Sequence, residues 1–147
     1  MTDELPPLRS DTGIVGLTLN CLGEFDPASL SRVLPFEVAI AVRKGEPRRQ
    51  RLGSGPNFHP TDYLKVLLDD SNGLAAGIDQ LAAAVASFDQ TARLIWSSLE
   101  RRTVSAGLTV VDGTLVFDHC FPASTVAQLA SIGAELVVGV YCVPEAP

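Results

Sequence analysis

Histidine and cysteine are scarce in this chain, with two of the first and three of the second in 147 residues. His59, His119, Cys21, Cys120 and Cys142 form no Cys-x-x-Cys and no His-x-x-x-His spacing, so a zinc site has no signature here. His119 and Cys120 are neighbours, and adjacent strand residues point to opposite faces, which keeps them off a shared metal. Three is also the wrong number for a disulfide framework. The expectation is three reduced thiols, each packed as a small hydrophobe. No Gly-x-Ser-x-Gly elbow occurs. Asp118 diverges from His119 on a strand, and Asp62 near His59 makes a dyad without an evident nucleophile. Leu52-Gly53-Ser54-Gly55-Pro56 has the glycines of a phosphate loop, but Pro56 and Pro60 each remove a donor, and a strand follows where a helix is needed. Asp69-Asp70-Ser71-Asn72 lacks the ligand spacing and closing Glu of a calcium loop. It reads as a turn with a helix cap from Asp70 or Ser71. Neither a catalytic set, a metal site nor a cofactor is expected.

Long apolar runs are missing as well. The longest near the end, Leu136 to Val143, has eight residues, whereas a spanning helix needs about 20. The first residues, Met1-Thr2-Asp3-Glu4-Leu5-Pro6-Pro7, are acidic and do not resemble a secretory signal. The expected setting is the cytosol, away from membranes. With 46% apolar and 19% charged residues the chain has ordinary globular composition, and its length suits one domain. Residues 1–11 read as a flexible tail and 12–144 as a single domain.

Positive charge is scarce except in one place. Net charge is −6, which argues against bulk nucleic-acid binding. Yet Arg43, Lys44, Arg48, Arg49 and Arg51 fall close together with only Glu46 opposing them, leaving 6 basic and 16 acidic residues elsewhere. Gly45, Pro47, Gly53, Gly55 and Pro56 make this stretch a loop. Its arginines are suited to gripping carboxylates or phosphate by paired hydrogen bonds. The plainer alternative is a solvated loop that keeps a sheet edge from pairing.

Periodicity supplies the elements. Val15, Leu17, Leu19 and Cys21 alternate with small or polar residues, as in a strand with one buried face. Asp26-Pro27 is a cap followed by a first-turn proline, which predicts a helix over about 27–34, ended by Pro35. Phe36, Val38, Ile40 and Val42 alternate as a second strand, and Leu64, Val66 and Leu68 as a third over about 61–69. Leu74, Ile78, Leu81, Ala82, Val85 and Phe88 share a helix face. A further helical stretch, about 89–102, continues it or kinks from it at Ser87–Asp89. It carries Trp96, which is read as core or as an exposed anchor. Asp112-Gly113 predicts a tight hairpin in which Val110 faces Leu115 and Leu108 faces Phe117. A helix over 122–132 and a strand over 135–143 complete an α+β fold. The expected sheet is mixed and mostly antiparallel, with about six strands and helices mainly on one face.

Three stretches carry a resemblance when taken in order. They are Phe25-Asp26-Pro27-Ala28-Ser29-Leu30-Ser31-Arg32-Val33-Leu34, Val42-Arg43-Lys44-Gly45-Glu46, and Thr125 to Leu136 leading to Tyr141. Together they resemble a bacterial family known as domain of unknown function 4279, over about residues 14–143. The resemblance implies an α+β fold and no established activity. Domains of this size and kind occur beside bacterial toxin genes, so by analogy it makes an immunity role conceivable. The reading that results is a non-enzymatic protein-binding module of the immunity or inhibitor type, with Arg43, Lys44, Arg48, Arg49 and Arg51 as its contact residues. The alternative is a small-ligand or anion sensor using the same arginines. A third reading, an enzyme with an unrecognised site, needs titratable groups converging in a cleft. Pairing with a second copy stays open at this point.

Overall fold

The structure, a computed structural model, describes residues 13–48, 58–113 and 118–144. The expected tail lies outside the described residues.

The first strand, β1 (Gly13–Gly23), forms the centre of the sheet. Its residues Leu17, Leu19 and Cys21 are buried, as the alternation requires. Helix α1 (Pro27–Val33) begins where expected: Asp26 Oδ1 accepts the Ala28 N–H, and Pro27 occupies the first helical position. Strands β2 (Glu37–Val42) and β3 (Asp62–Leu67) follow, then α2 (Leu74–Ala86) and α3 (Gln90–Ser98). The chain breaks between these two helices at Ser87–Asp89, where Asp89 Oδ1 accepts the Ala92 N–H and starts the second helix. Strand β4 (Leu99–Val111), helix α4 (Ala123–Ser131) and strand β5 (Glu135–Val143) complete the chain.

The fold is α+β, and its sheet is mixed and mostly antiparallel. The order is β2-β3-β1-β4-β5, with only the β4–β5 pair parallel. Five strands are present among the described residues, rather than about six. The sixth was expected from the Asp112-Gly113 hairpin. Asp112 and Gly113 do turn, but Thr114–Phe117 lie outside the described residues. Phe117, the expected partner of Leu108, belongs to that stretch; Leu108 itself lies between Ile14 of β1 and Val140 of β5.

The helices cover one face. Leu64 and Val66 of β3 and Val104, Ala106 and Leu108 of β4 join the β1 residues there. Against them pack Leu30, Leu74, Ile78, Leu81, Phe88 and Trp96 from the helices. Trp96 is therefore core. Its Nε1–H donates to the Ile132 carbonyl at 2.8 Å, and its ring meets Phe88 edge to face at 5.9 Å. Arg102 stacks over the same ring and spreads its guanidinium over the carbonyls of Trp96, Leu99 and Gly133. One cation thus donates to backbone carbonyls where α3 and α4 both end.

Four expectations need correction. The helical reading of 99–102 fails because Leu99 turns to extended backbone, and Arg101 and Arg102 pair with Leu22 and Cys21 of β1. Sheet pairing there overrides helix-forming residues. The even alternation expected of β2 is interrupted by a bulge between Val38 and Ile40. Ile40 and Val42 then share a face with Lys65 and Tyr63, while Val38 sits opposite Val66 on the other face. Neither Asp70 nor Ser71 caps α2. Gly73 holds the cap position at φ 99°, and Asp69 organises the turn by accepting from the Ser71 N–H and hydroxyl. Finally, all three cysteines are free, but only Cys21 is packed; Cys120 and Cys142 are exposed. Burial pushes the Cys21 thiol up to about 12, so it stays protonated at neutral pH.

Candidate functional site

The basic loop leaves the sheet at the end of β2 and returns at the start of β3. Its root is held by a carboxylate that sequence reasoning did not assign to it. Asp62 is buried, and its two oxygens are divided between two backbone donors, the Phe25 N–H at 3.0 Å and the Lys44 N–H at 2.8 Å. Those N–H groups lie in different loops, so one side chain ties the β1–α1 turn to the exit of β2. Arg43 reinforces the tie, with Nη1 on Asp26 Oδ1 at 3.1 Å and Nε 3.5 Å from Asp62 Oδ1. Asp26 thus caps α1 and receives Arg43. Its carboxyl is held below the ordinary value, first by the Ser29 hydroxyl. The Glu46 carboxylate accepts the Arg43 N–H at 3.0 Å.

Beyond the root the two arms of the loop meet again. Gly45 N–H donates to the His59 carbonyl, His59 N–H donates to the Glu46 carbonyl, and Pro47 bridges Phe58. His59 is therefore joined to the loop through its backbone. Among the described residues no hydrogen bond joins the His59 and Asp62 side chains, and both Asp62 oxygens accept backbone N–H groups.

The five expected contact residues divide accordingly. Arg43 is committed to Asp26 and Asp62, which makes it part of the loop's scaffold. Lys44 is exposed and tethered by its N–H. Arg48 is half-buried, and its Nε is shielded from solvent with no hydrogen-bond partner among the described residues. Arg49 and Arg51 lie outside the described residues. Asp62 is the residue that sequence reasoning misplaced. The available signal was a lone acid at the start of a strand that otherwise alternates apolar and polar residues.

A second surface went unread. The face of the sheet opposite the helices carries a hydroxyl and amide chain at its centre: Tyr63 Oη donates to Asn20 Oδ1, and Asn20 Nδ2 donates to Ser105 Oγ and Thr18 Oγ1, each at 3.3 Å. Partial burial raises the Tyr63 pKa and keeps its proton for that bond. Gly16, Gly107 and Gly139 stand abreast on β1, β4 and β5, and the Tyr141 ring lies beside Gly139. Ile40, Leu67, Val137 and Tyr141 are exposed on the same face. At one end Arg101 grips Glu135 through two bonds of 3.0 and 3.1 Å, which holds the Glu135 carboxyl below its usual range.

The described residues hold no group of three or more metal-ligating side chains, and no described helix is long and apolar enough to cross a membrane. Compared with protein-family models, with curated proteins and with solved structures, the chain matches none of them.

Proposed function

We propose that this chain is a non-enzymatic protein-binding module of the inhibitor or immunity type, and that it receives an acidic protein surface against the β2–β3 loop. The observation that carries this reading is the Asp62 tie, because a loop anchored at its root loses less entropy on binding than a free one. The cations of that loop, exposed Lys44 among them, are suited to charge-assisted bonds with incoming carboxylates. The charge layout agrees: a basic loop on an acidic body steers toward an acidic patch and repels others. The resemblance noted above for Phe25–Leu34 and Val42–Glu46 falls on the turn and loop that Asp62 joins.

The test is capture from the native host with the whole chain as bait, followed by binding kinetics. One stoichiometric partner is expected. Reversal of Arg48, Arg49 and Arg51 to Glu should slow its association at least tenfold at low salt, and by less at high salt. A captured partner whose association ignores the reversal would defeat the reading. So would saturable stabilisation by inorganic phosphate, lost in the triple variant, with no protein captured; that result would favour the anion-sensor alternative.

A further inference from the structure

The two edges of the sheet are built differently. Strand β2, at one edge, has six residues, starts with the charged Glu37, is interrupted by a bulge at Val38/Ile40, and follows Pro35. These are the devices that stop a sheet edge from adding a strand. Strand β5, at the other edge, shares only the charged first residue, Glu135, and has no bulge. It runs nine residues in unbroken register with β4, from Thr103↔Glu135 to Val111↔Val143. No charged residue occurs from Leu136 to Val143, and no described residue pairs with its outer side. Val137 and Tyr141 on one face and Val138 and Val140 on the other are between 42% and 57% exposed. A long, flat, uncharged edge strand with apolar side chains on both faces is a template for another strand.

We infer that β5 is a self-association edge, at which two copies of this chain pair antiparallel about Gly139 and continue the sheet across a two-fold axis. Backbone direction sets the possible registers. The Asp112 N–H donates to the Val143 carbonyl, so the odd-numbered residues of β5 turn their backbone groups toward β4. Leu136, Val138, Val140 and Cys142 therefore aim theirs outward. Pairing about Gly139 sets Val138 opposite Val140 and Leu136 opposite Cys142 as the hydrogen-bonded pairs, giving about eight new backbone bonds. On the open face Val137 falls opposite Tyr141, an aromatic and β-branched pair of the stabilising kind. The glycines meet where the strands approach most closely. Charge permits it despite the net −6. The two Glu135 carboxylates stand at opposite ends of the pairing, about 27 Å apart along the strands. That exceeds a Debye length, and each is already bonded to Arg101. A closed two-fold contact uses the same patch twice, so it ends at a dimer.

Sedimentation equilibrium on the whole chain tests this. The expected species at about 100 μM has twice the 15.6 kDa chain mass. Val140→Lys places a charge on the outward edge without touching the β4 ladder, and should weaken association at least tenfold while leaving the circular dichroism unchanged. A spin label on Cys142, in a chain with Cys120 changed to Ser, reads the register in the unaltered edge. Two labels about 20 Å apart are expected, six residues along paired strands. A monomer at 100 μM, a dimer indifferent to Val140→Lys, or a label separation far from this value would each overturn the inference. Because the label readout does not depend on the lysine variant, a variant that failed to fold would leave it standing.

Discussion

Gly77 shows how a single missing side chain can fix a helix against a sheet. A Cβ built there would overlap the Asp69 carbonyl oxygen and lie 2.6 Å from Leu17 Cδ2. Helix α2 can therefore approach the β3–α2 connection only because this position is bare. Glycine inside an exposed helix normally costs about 1 kcal/mol relative to alanine. Here the sign should invert: Gly77→Ala is expected to destabilise by about 1–3 kcal/mol, since the overlap is with backbone that cannot rotate away. Urea unfolding of the two proteins measures the difference, and a stabilised variant would show that the helix shifts freely. Asp62 makes a related point about polar residues. Its value lies in joining two loops, a role that depends on partners 37 and 18 residues away in sequence. The lone acid at the start of β3 marks the position, but nothing local names its two partners.

At the scale of elements, much of the fold is legible in the sequence. The alternation in β1, the Asp26-Pro27 start of α1, the break at Ser87–Asp89 and the span of β5 all follow from local rules that tertiary context reinforces. What is not legible comes from partners far along the chain. Leu99–Arg102 have helix-compatible residues, but β1 recruits them as strand. The β2 bulge and the flanking of Leu108 by β1 and β5 arise likewise from neighbours distant in sequence. Of the candidate site, the arginines are legible as a charge cluster, while the clamp that holds them is not. The end of α3 shows how such non-local choices are secured. Arg102 reaches three carbonyls and the Trp96 ring from a strand that begins just after the helix. Arg102→Lys keeps the charge and loses the fork, so the helix ends should lose about 1.5–3 kcal/mol of stability. A change below about 0.5 kcal/mol in chemical unfolding would mean that water serves those carbonyls equally well.

For the whole molecule, acid is the informative perturbation. The Asp26, Asp69 and Glu135 carboxyls are all held below their ordinary values, the first two mainly by the hydroxyls of Ser29 and Ser71 and the third by Arg101. A carboxyl whose folded pKa is lowered stabilises fully above the unfolded value and loses that contribution as the pH falls through the folded one. The melting temperature should thus stay level from neutral pH to about pH 5 and fall steadily below about pH 4. Ser29→Ala removes the largest cause acting on Asp26. Its deficit should be greatest near neutral pH and shrink toward pH 2.5 or so; a deficit independent of pH would assign the serine a purely steric role.

The central position of β1 has a consequence for biosynthesis. The strand that emerges first among the five is the one that both halves of the sheet must clasp, and its partners come much later: Leu64 for Cys21 on one side, Ser105 for Thr18 on the other. Contacts so distant in sequence fold slowly. While the ribosome works through the helices, Leu17 and Leu19 wait uncovered, and the nascent chain is most in need of a chaperone during that interval.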